Sequence, residues 1–131
     1  MAAVVIKVVQ PSVITATYGS EALVTLFQRL GERLTGESWA ALVATRTNAA
    51  GAACLTHPVE REELQVALRR ILAESEYLQV GHMLVRIPLE AGVCYLGAPP
   101  MDLNTAINNA GLAAQEAQPL CFFNKIGRAH V

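Results

Sequence analysis

Val4-Val5-Ile6-Lys7-Val8-Val9 is the stretch that decides the fold class. Five of its six residues are β-branched and apolar, and they run without a polar alternation. That pattern belongs to a strand buried on both faces, as happens when helices cover a sheet. Lys7 interrupts the run, no basic segment precedes it, and Ala2–Val9 is short, so the stretch reads as a strand and not as a signal peptide.

Working outward, Gln10-Pro11-Ser12 breaks the chain, and Val13–Tyr18, rich in β-branched residues, is expected to be a second strand. A helix should follow. Ser20 is placed to cap it, Leu23, Leu26, Phe27, Leu30 and Leu34 share one face, and Gly36 suits its end. Trp39–Thr45 and Ala52–Thr56 flank Asn48-Ala49-Ala50-Gly51, a loop suited to a hairpin. A second helix runs from Pro58, with Glu60, Glu62 and Glu63 at its positive end and Leu64, Leu68, Ile71 and Leu72 as the buried stripe. Met83–Leu89 and Val93–Gly97 flank Glu90-Ala91-Gly92, a tighter hairpin signal. The third helix begins after Pro99-Pro100 with Asp102 as its cap and presents Leu103, Ala106, Ile107, Ala110 and Ala114. Leu120–Phe123 starts a further strand. The expected fold is α/β (α+β): a mixed sheet of about six strands with three helices, mainly on one face, in strand–strand–helix units of about 40 residues.

The last residues, Ile126-Gly127-Arg128-Ala129-His130-Val131, read back into codons as ATC GGA AGA GCA CAC GTC, the start of a common sequencing adapter. The next adapter triplet in that frame is a stop. Residues 1–124 are therefore expected to form a single α/β domain, truncated at its C-terminus, with 125–131 an adapter-derived tail that is not biological. Without Lys125 and Arg128, eight basic residues face eleven acidic ones, a net charge near −3 rather than −1. Lys7 is then the one lysine left, and the arginines are scattered, which speaks against a nucleic-acid partner. No run reaches the 18 or so apolar residues of a membrane helix. Cys54, Cys94 and Cys121 fit no disulfide scaffold and suit a reducing compartment, so the cytoplasm is the expected location.

Catalytic candidates are few. Cys54-Leu55-Thr56-His57 has the spacing of half a metal site, with His82 and Cys94 as an imaginable other half, but zinc wants four converging ligands and no C-x-x-C pair is present. The same four residues, Cys54 or Cys94 as nucleophile with His57 or His82 as base, are the candidates for thiol catalysis. Gly92, Gly97 and Gly111 form no phosphate-binding fingerprint. No cofactor and no metal are expected.

Two family resemblances follow from the placed elements. Ala22 to Thr56, a helix, then Trp39-Ala40-Ala41-Leu42-Val43-Ala44-Thr45 and a hairpin, resembles the opening of a roadblock/LC7 domain. That family supplies dimeric scaffolds and small-GTPase regulators; the strands before residue 20 depart from it. Gly51-Ala52-Ala53-Cys54-Leu55-Thr56-His57-Pro58, followed by acidic residues and a leucine-bearing helix, is similar to a turn of the pentein-like fold of the ribosome anti-association factors. Related penteins modify guanidines with Cys, His and acidic residues. The expectation for function is a non-enzymatic interaction or regulatory module, oligomeric or part of a larger protein, whose partner is itself or another protein. The alternative is an N-terminal fragment of a pentein-like Cys/His enzyme.

Overall fold

Strand β1 (Ala2–Val8) is the middle of the main sheet in the computed structural model, which describes residues 1–46, 51–96, 102–114, 120–123 and 129–130. After it come helices α1 (Pro11–Tyr18) and α2 (Ser20–Thr35), then the hairpin β2 (Ala40–Arg46) and β3 (Gly51–Thr56). Helix α3 (Arg61–Ser75) leads to a small hairpin of β4 (Tyr77–Val80) and β5 (Met83–Arg86). Strand β6 (Leu89–Tyr95), helix α4 (Leu103–Ala114), strand β7 (Leu120–Phe123) and the two-residue β8 (Ala129–His130) complete the order.

The main sheet runs β2-β3-β1-β6-β7-β8, while β4 and β5 pair only with each other. β1 is antiparallel to both neighbours, with Val4 opposite Cys54 on one side and Val93 on the other. β7 runs parallel to β6, so the sheet is mixed as expected. The tail strand β8 adds to the open edge of β7, with Phe122 opposite His130. An apolar strand with unpaired backbone groups recruits whatever chain lies beside it.

The pleat divides β1 between two cores. Val4, Ile6 and Val8 join Leu26, Phe27 and Leu30 of α2 and Leu64, Leu68 and Ile71 of α3. Ala3 and Val5 face Cys94 and the small side chains Ala106 and Ala110 of α4. At the N-terminal end of β1, the Ala2 amide donates to buried Thr56 Oγ1 at 2.9 Å. There Arg61 sits 4.3 Å over the Phe122 ring, which stacks on Tyr95, pinning the first turn of α3 to the sheet.

Several elements differ from the sequence reading. Val13–Tyr18 lies in helix α1, which gives four helices among the described residues. Pro11 occupies the first turn, where its missing N–H costs nothing, and Ile14 alone is buried, the burial of a short helix docked on one side. Gly19, at φ 89°, then turns the chain into α2. Glu90-Ala91-Gly92 is not a turn but the body of β6, because pairing with β1 continues through Lys7 and Ile6. The turn is instead at Gly81, φ 61°, between β4 and β5. The second helix starts at Arg61 and not at Pro58. Of the strand–strand–helix units, β2-β3-α3 and β5-β6-α4 have that order, whereas the first unit is strand–helix–helix. Part of the Asn48-Ala49-Ala50-Gly51 loop, Gly97 and Pro99-Pro100 lie outside the described residues.

Candidate functional site

Lys7 is the residue around which a site can be built. The alternation of β1 sends it to the α4 side, and its strand ends one residue later. Across the sheet it stands opposite Gly51 at the start of β3 and Glu90 near the start of β6. Its side chain runs over Gly111 of α4, where an added Cβ would lie 3.5 Å from Nζ. Helix α4 reaches this position because Asp102 caps it. The Thr105 amide donates to Asp102 Oδ1 at 3.0 Å, and the Thr105 hydroxyl donates to Oδ2 at 2.8 Å. These bonds hold the Asp102 carboxyl below its ordinary value.

Two adjoining cavities open beside Lys7. One, of about 380 Å3, is lined by Val5, Gly51, Asn104, Ile107 and Asn108 as well as by Lys7. The other, of about 390 Å3, continues past Asn108 to Gly111 and Leu112. Asn104 and Asn108 are one helical turn apart and so share a face. Each cavity has the volume of a small-ligand site. Its chemistry is one fixed cation and two carboxamides against apolar walls of Val5 and Ile107, which suits an anionic ligand with a flat or apolar part. Glu90 completes the electrostatics: burial pushes its carboxyl up, and the attraction of Lys7 works against that.

The four residues singled out from sequence do not share this place. Cys54 is buried in β3 within the α2/α3 core, where its Sγ donates to Leu55 O at 3.4 Å. Burial pushes its thiol up to about 11, the opposite of what an attacking thiolate needs. Cys94 is buried in β6 on the other face of the sheet, against α4. His57 is exposed just beyond β3, and His82 is exposed in the β4–β5 turn. Among the described residues, no group of three or more His, Cys, Asp or Glu is placed to hold a metal ion. No helix of the described residues is long and apolar enough to cross a membrane. The residues that sequence reasoning missed are Asn104 and Asn108, which line the cavity beside Lys7. Lys7 was seen only as a break in an apolar run; its signal was a lone lysine at the end of an otherwise buried strand.

No family model matches the chain, and no curated protein is similar to it. Solved structures are. An EAL/GGDEF domain protein from M. capsulatus is 16% identical, with a TM-score of 0.77 over 94% of this chain and 84% of that one. The active GGEEF domain of a diguanylate cyclase from Vibrio cholerae is 14% identical, with a TM-score of 0.75 over 95% and 83%. The FimX GGDEF domain from Pseudomonas aeruginosa is 21% identical, with a TM-score of 0.72 over 88% and 73%. What they share with this chain is the fold. Read as residues, the letters GGDEF or GGEEF occur nowhere in the sequence, which has no Gly-Gly pair. The expectation of a non-enzymatic interaction or regulatory module is overturned by these likenesses, and so is its pentein-like alternative: almost the whole described chain follows the fold of diguanylate cyclase domains, an enzymatic class.

Proposed function

We propose that this chain is a diguanylate-cyclase-type domain whose ligand is a guanine nucleotide, held at the carboxyl end of β1 on the α4 side. The observation that carries the reading is the match of 95% of the chain, at a TM-score of 0.75, to an active GGEEF domain of a diguanylate cyclase. The position is argued from this chain's own geometry. Ligands of open α/β sheets sit outside the carboxyl ends of strands. Here that end carries Lys7, a cation for a phosphate, and Asn104 and Asn108, donors and acceptors for a base edge or ribose. The three cysteines, none in a disulfide, suit a cytoplasmic setting.

The test titrates the purified chain with GTP by calorimetry and assays the mixture for cyclic dinucleotide by mass spectrometry. Saturable GTP binding that Lys7→Ala weakens supports the reading, with or without product. Product in addition would establish turnover. Binding without product would make the chain a nucleotide-binding variant of the fold, in keeping with its missing GGDEF string. Absence of both binding and product overturns the proposal, and so does binding indifferent to Lys7→Ala.

A further inference from the structure

A third cavity, of about 370 Å3, lies on the opposite face of the sheet from Lys7, between the last turns of α3, the β5–β6 junction and the start of β7. Its floor is apolar and belongs to the main core: Leu72, Leu89 and Leu120 are all buried, and Val9 and Pro88 close the side. Two arginines, Arg69 and Arg86, stand at its rim. Guanidiniums on a protein surface are ordinarily just solvated or paired with a neighbouring carboxylate. That is what happens elsewhere on α3, where Arg70 pairs with Glu37 and Glu74 pairs with Arg33 of α2. Arg69 differs: among the described residues it has no ion pair. Arg86 reaches Glu76 only through Nε at 3.5 Å, so the outer fork of its guanidinium is not engaged by that contact. Glu90 also borders the cavity, but it stands opposite Lys7 across β1 and β6, and the alternation that turns Leu89 into the main core sends the Glu90 side chain to the Lys7 face.

We propose that this cavity binds a small oxyanion carried on a short alkyl group, with Arg69 and Arg86 gripping the oxyanion and Leu72, Leu89 and Leu120 receiving the alkyl part. Both chemistries, carboxylate and phosphate monoester, present the planar or tripod oxygens that a guanidinium fork pairs with. The floor supplies what a bare surface arginine lacks, a concave apolar contact from which water is released on binding. The site stands on the α3 side and does not depend on the nucleotide reading.

The experiment titrates the isotope-labelled full chain with hexyl phosphate, hexanoate and hexanol, following backbone amides by NMR. Saturable shifts at Ala73 and Leu89 are expected with at least one of the two anions. Whichever anion binds more tightly identifies the ligand class. Arg69→Gln and Arg86→Gln are each expected to weaken binding about tenfold, the effect of losing one charged hydrogen bond. Both side chains are exposed, so the variants keep the core. The proposal is overturned if neither anion saturates, if hexanol binds as tightly as both, or if neither substitution changes the affinity.

Discussion

The two faces of the sheet are built by opposite means. On one, α2 and α3 stand off on large side chains: Leu26, Phe27, Leu30, Leu64, Leu68 and Ile71 are all at most 2% exposed. On the other, α4 lies almost backbone to backbone against β6, with Ala106, Ala110, Ala113 and Ala114 fully buried. The contact is closest at Gly92, where a Cβ would fall 1.9 Å from the Ala110 carbonyl oxygen and 2.4 Å from the Ala114 amide nitrogen. A face of large side chains can adjust rotamers around a change; a face where main chain meets main chain cannot. The cavities beside Lys7 open on the second face, so the unyielding contact is also the one that positions Asn104 and Asn108.

The comparison breaks most directly at Gly92. Gly92→Ala has no flexible side chain to displace and must lift α4 from β6, so a loss of about 4 kcal/mol or more in a urea melt is expected, at the high end for overpacking. A loss under about 1 kcal/mol would mean that α4 floats on the sheet and the contrast between the faces is wrong. Leu68→Ala on the other face should cost about 3 kcal/mol, the usual price of a buried leucine whose cavity partly collapses. It should leave GTP binding in place in the fraction that remains folded, whereas Gly92→Ala should lose it, because only the second displaces the helix bearing Asn104 and Asn108.

How much of this was legible in the sequence depends on which interaction fixed each element. Helices α2 and α3 were legible because their leucines repeat with the helical period and pack as that period says. β1 was legible because a continuous apolar run has few other homes. Val13–Tyr18 was not: its β-branched residues carry strand propensity, and the docking of Ile14 beside α2, a tertiary contact, overrides it. Gly92 was read as a turn glycine, yet it is needed for close approach, and one glycine looks the same for both uses. The hairpin β4–β5 hides for a related reason, since it pairs outside the main sheet and exposes Tyr77, Met83 and Leu84. The candidate site was nearly invisible. Lys7 and Asn104 are 97 positions apart by number and meet only when α4 crosses β1.

The two buried thiols give the smallest and finest probe of the contrast. Cys54 belongs to the face of large side chains and Cys94 to the face under α4. Burial raises both thiols above the ordinary 9.0, Cys54 to about 11, while for Cys94 a hydrogen bond with Asn109 pulls the other way. A thiol raised on folding contributes stability that is fully present below pH 9 and is lost as the pH climbs toward the folded value. Stability should therefore be flat through neutral pH and fall between pH 9 and 11, and Cys54→Ala should flatten that fall. Labelling at pH 8 should reach Cys94 first, because α4 is anchored by alanines and can open locally, whereas Cys54 is uncovered only when the main core unfolds. Peptide mapping of partly alkylated protein reads the order. Equal rates, or Cys54 ahead of Cys94, would show that both faces open together and that the close-packed helix is no weaker in attachment than the leucine core.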